Sequence, residues 1–179
     1  SYEGDGDGVG FEFNLPDPNK HDSISEAPYF KFNSVSVFIP EQTEEALELF
    51  NNGEAYLIAS LYGTGSNLVY KWDNFDTEPF LSSDEFYLSQ DMINSWVTIP
   101  FYDTSDYVYN FIGGDFRVTL HFYGNYTNDR KRTFKIGEGS GKKFPDTYSC
   151  RIFNGGDWGW SAGAPAINLN LGFSMEYPE

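Results

Sequence analysis

Hydrophobic and polar residues alternate along much of the chain, and this alternation predicts strands. A strand points successive side chains to opposite faces, so a period of two is typical of strands with one buried face. Further strands are predicted at 55–62, 68–72, 97–101 and 149–153. The alternating apolar positions are Phe11 and Phe13; Phe30 and Phe32; Val35, Val37 and Ile39; Val118, Leu120 and Phe122; and Ile167, Leu169, Leu171, Phe173 and Met175.

One segment, at about 43–51, has the pattern of a helix instead. Thr43 is a candidate N-cap, and Glu44 and Glu45 place carboxylates in the first turn, where the helix dipole favours them. Asn51-Asn52-Gly53 is a typical helix end. Many short strands, turns rich in Gly and Pro, and one short inserted helix predict an all-β fold, an antiparallel β-sandwich of about eight to ten strands.

The length of 179 residues fits one domain with a short arm. Residues 1–10 are rich in Gly and acids and predict a flexible leader, which leaves 11–179 as a single β-sandwich domain. The one cysteine, Cys150, excludes a disulfide within the chain and any zinc site built from several cysteines. Because Cys150 falls on a predicted strand, we expect a buried, unreactive thiol.

The net charge of −16 is unevenly distributed. Residues 1–106 carry 20 acids and 3 bases, whereas 107–179 carry 7 acids and 8 bases. Such an acidic chain is not expected to bind nucleic acid, which needs clustered Lys and Arg. Several bases lie close together at 130–143 and are candidate contacts for an anion or a partner. They are Arg130, Lys131, Arg132, Lys142 and Lys143. Alternatively, they only form the solvated rim of a hairpin.

The chain shows no pattern typical of an enzyme. His21 and His121 have no Ser, Cys or carboxylate beside them in a nucleophile motif, and the acids fall mostly in turns. The Gly-rich stretch 136–143 is not a phosphate-binding loop. Gly137 and Gly141 are separated by three residues where that loop needs four, so a hairpin tip is predicted. We therefore expect a non-enzymatic protein.

Aromatic residues make up 19% of the chain, and several occur in predicted turns. Trp158 and Trp160 lie in the Gly-rich stretch 155–163, which predicts a loop. Exposed aromatic side chains offer a flat apolar face with a polar edge, as sugars and protein hot spots require. Trp158, Trp160 and the tyrosines Tyr107, Tyr109 and Tyr126 are therefore candidate ligand contacts. Alternatively, the loop folds back and caps the core.

The segment 96–113, with its acidic turn and its Ile-Gly ending, resembles the strand–loop segment of C2 domains. Upstream, 53–59 is similar to the C2 stretch that enters a strand, and 34–39 matches the opening strand of that family. The resemblance implies an eight-stranded sandwich whose tip loops bind Ca²⁺ and often lipid.

Calcium is the one candidate cofactor. Asp103, Asp106 and Asn110 share one predicted loop, and hard oxygen ligands converging from loops suit Ca²⁺. The C2 resemblance implies that Asp103 and Asn110 match loop ligands and that Glu54 replaces the usual Asp.

Three functions follow as hypotheses. The first is a non-enzymatic extracellular or cell-surface binding module whose aromatic loops contact a glycan or a protein. The second is a C2-like module that binds calcium, lipid or protein through the 103–110 loop. The third is a structural subunit of a filament, capsid or secretion assembly. Membrane association is expected only through lipidation upstream or through C2-like loops.

Overall fold

The computed structural model describes residues 8–14, 29–63, 79, 81–101, 108–109, 115–124, 134–139, 147–154, 157–160, 164–165 and 167–174. Within these ranges lie one α-helix, one 3₁₀ turn at Gln90–Met92 and thirteen strands. Eight of the strands have four or more residues. The elements are α1 (Glu44–Asn51), β1 (Gly8–Asn14), β2 (Tyr29–Ile39), β3 (Tyr56–Gly63), β4 (Leu81–Ser82), β5 (Phe86–Tyr87), β6 (Ser95–Pro100), β7 (Val108–Tyr109), β8 (Asp115–Tyr123), β9 (Glu138–Gly139), β10 (Thr147–Asn154), β11 (Asp157–Trp160), β12 (Ala164–Pro165) and β13 (Ile167–Ser174).

The strands form two main antiparallel sheets. The larger sheet has the order β11-β10-β1-β8-β3-β4, and β5 also pairs with β3. The smaller sheet has the order β13-β2-β6, and β7 also pairs with β2. β9 and β12 form a separate short pair. The predicted all-β sandwich with one short helix is confirmed, whereas the strand predicted at 68–72 lies outside the described residues.

One apolar core joins the two sheets. Alternate apolar residues of β2, β3, β6 and β8 are buried, and the buried apolar residues described on both sheets belong to a single cluster, as expected for a sandwich. Phe134 is fully buried beside them and stacks on Phe122, with ring centroids 4.2 Å apart. The core positions on the long strands are Leu57, Ala59 and Leu61; Val118, Leu120 and Phe122; Phe32, Val35, Val37 and Ile39; Val97 and Ile99; and Ile167 and Leu169.

A β-bulge at Asn33 joins two predicted strands into one. Phe32 and Val35 are three residues apart, yet both are buried. Opposite them, Asn170 pairs with Ser34 and the next residue, Leu171, already pairs with Phe32. Asn33 is thus the extra, exposed residue, and its carbonyl accepts a hydrogen bond of 3.0 Å from the backbone N–H of Phe101.

The helix α1 closes the core beside the sheets. The Thr43 hydroxyl accepts a hydrogen bond of 3.3 Å from the backbone N–H of Ala46, as predicted for the N-cap. Ala46, Leu49 and Phe50 are buried, while the carboxylates of the first turn are exposed. Gly53, just after the helix, has φ of +70°, which glycine adopts without strain. No helix in the described ranges is long and apolar enough to cross a membrane.

The start of β1 overlaps the predicted leader. Residues 1–7 lie outside the described residues, but Gly8 and the two residues after it belong to β1, between β8 and β10. A Cβ atom at Gly8 would lie 2.2 Å from the carbonyl oxygen of Leu120. The glycine therefore permits a close approach of two backbones.

Candidate functional site

Trp96 is a large aromatic side chain that the fold holds at the surface. Its neighbours in β6, Val97 and Ile99, face the core, so the alternation turns Trp96 to the outer face of the smaller sheet, where 46% of it is exposed. Across the strand pair it lies opposite Phe38, and the two rings meet edge to face with centroids 5.8 Å apart. Such a pair fixes the orientation of the indole.

A row of polar side chains follows Trp96 on the same outer face. The hydroxyls of Ser36 and Thr98 lie 3.0 Å apart across β2 and β6. From β13, the side-chain N–H₂ of Asn170 donates to the hydroxyls of Ser34 and Ser36, at 2.8 and 3.0 Å. We call Ser34, Ser36, Thr98 and Asn170 the hydroxyl–amide ladder. These hydrogen bonds hold the groups in place. Ser34 is buried, whereas Thr98 is exposed and Ser36 and Asn170 are half-buried, so these three keep hydrogen-bonding capacity for a ligand.

A groove of about 370 Å³ lies where α1, the 3₁₀ turn and the start of β6 meet. Its volume is within the range of small-molecule sites, roughly 300–1,000 Å³. The lining is rich in amide side chains and has one carboxylate. The lining residues are Glu41, Gln42, Leu47, Gln90, Ile93 and Asn94.

Two amide residues hold the walls of the groove. The Gln42 side chain donates to the carbonyls of Pro40 and Lys135, at 2.9 and 2.7 Å, and accepts from the backbone N–H of Lys135 at 2.9 Å. Asn94 has φ of 58°, a left-handed conformation that Asn tolerates better than most residues, and its N–H donates to the carbonyl of Ile39. The Gln42 side chain therefore has a structural role in the groove. The Asn94 side chain is exposed and can contact a ligand.

The groove, the Phe38–Trp96 pair and the hydroxyl–amide ladder follow in this order from the start of β6 toward its end. Trp96 and Thr98 are exposed and lie one two-residue strand step of about 7 Å apart, and the exposed Asn94 lies in the turn just before β6. We call this arrangement the outer-face site. Its strands are nearly free of charge, because β6, β7 and β13 contain no charged residue and β2 contains only Lys31, and the groove adds the one carboxylate of Glu41. In a chain of net charge −16, a sheet with a single charged residue differs clearly from the rest of the protein.

The larger sheet carries a second aromatic cluster, which we call the tyrosine row: Tyr56, Tyr87 and Tyr123. The ring of Tyr56 in β3 lies 5.3 Å from that of Tyr87 in β5 and stacks at 5.0 Å on that of Tyr123 in β8. Tyr87 is 50% exposed, and its hydroxyl donates to a carboxylate oxygen of Glu85 at 2.7 Å. This hydrogen bond, together with partial desolvation and the charge of Glu85, raises the pKa of Tyr87 above its usual 10.0.

The two tryptophans predicted to lie in a loop belong to a strand instead. Trp158 and Trp160 are part of β11, which pairs with β10 so that Trp158 lies opposite Phe153 and Trp160 opposite Arg151. The loop prediction for 155–163 is therefore wrong at 157–160, because backbone pairing with β10 outweighs the low strand propensity of Gly. Tyr109 is in β7, opposite Tyr29.

The other predicted site residues fall mainly outside the described ranges: Tyr107, Tyr126, Asp103, Asp106, Asn110, Arg130, Lys131, Arg132, Lys142 and Lys143. Glu54 is described, half-buried between α1 and β3, with its N–H donating to the carbonyl of Leu49. No group of three or more His, Cys, Asp or Glu in the described part of the chain could hold a metal ion. The calcium site at the 103–110 loop stays a prediction.

The fold and these two surfaces define an antiparallel β-sandwich with aromatic side chains on both outer faces. No family model, no curated protein and no solved structure matches the chain. The antiparallel architecture is compatible with a β-sandwich, and the resemblance to C2 domains stays a prediction.

Sequence reasoning missed the outer-face site and the tyrosine row because it looked for ligand contacts in loops. One sequence signal would have found the outer-face site. In the alternation of 95–100, Val97 and Ile99 take the apolar positions, so Trp96 takes a position where a polar residue is expected. The segments 32–39, 95–100 and 167–174 also contain no charged residue. An aromatic residue in a polar phase indicates an exposed aromatic side chain on a sheet face.

Proposed function

We propose that the protein is a non-enzymatic extracellular or cell-surface binding module that holds a neutral oligosaccharide on its outer-face site. The observation that carries this proposal is the exposed indole of Trp96, which lies between an amide-lined groove and the hydroxyl–amide ladder. The site lies along a strand rather than in a deep pocket, so an extended chain of several sugars is the fitting ligand.

The chemistry of the site matches the two faces of a sugar ring. A pyranose presents C–H groups on one face, which pack on a flat aromatic ring, and hydroxyls at its edge. The Trp96 indole supplies the ring, and its edge-to-face contact with Phe38 limits its motion. Asn94 on one side and Thr98 and Asn170 on the other supply donors and acceptors for the hydroxyls.

The charge distribution favours a neutral glycan over an acidic one. The strands that build the site hold no charge except Lys31, so they offer little to neutralise carboxylates or sulfates. The protein as a whole carries −16 and repels polyanions at long range. A neutral polysaccharide experiences neither effect.

The experiment is a comparison of wild type with Trp96→Ala on a panel of neutral oligosaccharides, namely gluco-, manno-, galacto- and xylo-oligosaccharides, with oligogalacturonate as the acidic comparison. We expect at least one neutral series to bind, and Trp96→Ala to weaken it about tenfold or more, as removal of an aromatic anchor does. Tyr87→Ala removes an exposed aromatic from the larger sheet and serves as the matched control.

Two outcomes would contradict the proposal. One is that no neutral series binds the wild-type chain. The other is that Trp96→Ala binds as tightly as wild type, which would move the contact to other aromatic residues such as Trp158 and Trp160.

The C2-like module is the second candidate, and the antiparallel sandwich with Glu54 at the entry to β3 favours it. In this proposal Asp103, Asp106, Asn110 and Glu54 bind Ca²⁺. A ligand that binds only the folded state raises the unfolding midpoint, so millimolar Ca²⁺ should raise the Tm of wild type and not that of Asp103→Asn. An unchanged Tm of wild type would exclude calcium binding.

A further inference from the structure

We propose that Tyr87 and Glu85 form a second binding site, on the larger sheet, which takes an arginine side chain of a protein partner. Tyr56 packs against Tyr87 and in turn stacks on Tyr123. This site lies apart from the outer-face site, which belongs to the smaller sheet.

The geometry presents one aromatic face beside one carboxylate. Tyr87 is half exposed, and its ring is tilted by 47° against that of Tyr56, which in turn stacks on Tyr123 at an angle of 11°. The hydroxyl of Tyr87 donates to one oxygen of Glu85, which is itself exposed. The hydrogen bond therefore places the carboxylate at the edge of the phenol ring before any ligand arrives.

This combination suits a guanidinium group better than other cations. A cation within about 6 Å of an aromatic centroid is attracted to the ring, and arginine does this more often than lysine because its planar group also stacks. The same planar group forms hydrogen bonds to a carboxylate with a fork of N–H donors. An ammonium group lacks the plane and is more strongly hydrated.

The surrounding charge also favours a basic partner. The segment 81–101 holds Asp84, Glu85 and Asp91 and no Lys or Arg. Within the described ranges, the one hydrogen bond of the Glu85 carboxylate comes from Tyr87, and no Lys or Arg side chain pairs with it. Because residues 1–106 carry 20 acids and 3 bases, long-range attraction adds to the local contact.

The test measures binding of the full chain to three peptides of equal length, in which serine alternates with arginine, with lysine or with uncharged citrulline. We expect the order of affinity arginine, lysine, citrulline at 0.15 M salt. Tyr87→Ala should weaken the arginine peptide about fivefold and bring it close to the lysine peptide. Tyr87→Leu keeps an apolar contact for Tyr56 without an aromatic face and should show the same loss.

Two control variants distinguish binding at the Tyr87–Glu85 site from general attraction of a basic peptide to an acidic protein. One removes a charge elsewhere, and the other removes an aromatic side chain elsewhere. Glu85→Gln should weaken the arginine peptide about fivefold, whereas Glu45→Gln, which removes the same charge from the exposed start of α1, should leave it within about twofold. Trp96→Ala should not change peptide binding. Equal losses in the two Glu variants, or an unchanged affinity in both Tyr87 variants, would overturn the proposal. So would a loss of oligosaccharide binding in Tyr87→Ala, because the row would then serve the glycan.

Discussion

Asn33 is the residue that β2 accommodates as a bulge, so that the strand keeps one core-facing side and one outward side along its length. Upstream of it Phe32 is buried, and downstream Val35, Val37 and Ile39 are buried, while Ser36 and Phe38 are turned outward. Since a strand alternates strictly, the change of phase between Phe32 and Val35 requires one extra residue. By leaving Asn33 unpaired, the bulge keeps Phe32 on the same inner face as Val35, Val37 and Ile39.

Deleting Asn33 should leave the fold intact. Without it, Phe32 and Val35 are two residues apart and both still face the core, and only the hydrogen bond from Phe101 is lost. We expect a decrease of about 1 kcal/mol in the free energy of unfolding, measured by urea denaturation. Deletion of Ser36 is the matched control, because it brings Val35 next to Val37 and forces one of them outward. That chain should lose its cooperative transition, and equal effects of the two deletions would contradict the bulge assignment.

Tyr87 provides a second prediction at the scale of one residue. The carboxylate of Glu85 accepts a hydrogen bond from the phenol O–H and opposes a phenolate charge, so the pKa of Tyr87 lies above 10.0. Glu85→Gln should lower this pKa toward 10.0, measured by the ¹³Cζ shift of labelled tyrosine and assigned with Tyr87→Phe. A pKa that stays unchanged in Glu85→Gln would show that the hydrogen bond is absent in solution.

At the scale of elements, the groove depends on the segment 134–137 being tied to the end of β2. The Gln42 side chain bonds both the N–H and the carbonyl of Lys135, and the Gly137 N–H donates to the carbonyl of Phe38 at 2.9 Å. Phe134 is buried in the core. The loop after β2 and this segment are therefore tied together, and Gln42 lines the groove from this side.

Gln42→Ala should loosen this unit without unfolding the protein. Three hydrogen bonds are lost, but the freed groups of Lys135 lie at the surface and can bind water, so we expect a cost of about 1 kcal/mol and faster hydrogen exchange at the Lys135 amide. Gln90→Ala changes the opposite wall, where the structure gives the Gln90 side chain no hydrogen bond to a described residue. It should cost less than about 0.5 kcal/mol. If Gln42→Ala and Gln90→Ala lowered the free energy of unfolding equally, the structural role of Gln42 in the groove would be excluded.

Periodicity was sufficient to predict the long elements and insufficient for the short ones. The positions of Val118, Leu120 and Phe122 predicted β8, and Thr43 with the acids after it predicted α1. β11 was missed because its sequence, Asp-Trp-Gly-Trp, has the composition of a loop and becomes a strand only by pairing with β10. Sites on sheet faces were missed for a related reason, since strand partners bring Phe38 to Trp96 from 58 positions away in sequence.

At the scale of the whole molecule, charge separates the two surfaces. The smaller sheet is almost free of charged residues, whereas the exposed Tyr87 of the larger sheet lies beside Glu85 in an acidic segment. A neutral ligand on the first and a cationic ligand on the second should respond differently to salt, because screening acts on charge–charge attraction.

Raising NaCl from 0.05 to 0.5 M should therefore leave oligosaccharide affinity within about twofold and weaken the arginine peptide about tenfold or more. Isothermal titration on one preparation measures both. A strong salt dependence of oligosaccharide binding would contradict the uncharged character of the outer-face site.

The central claim is that Trp96 and the hydroxyl–amide ladder contact a neutral oligosaccharide, and an NMR titration of the ¹⁵N-labelled chain tests it most directly. The chain has four tryptophans, so each indole N–H gives a separable signal that single Trp variants assign. We predict that the Trp96 indole N–H and the Asn170 side-chain amide shift and saturate together as the oligosaccharide is added. Shifts confined to the indoles of Trp158 and Trp160, with Trp96 and Asn170 unmoved, would contradict it.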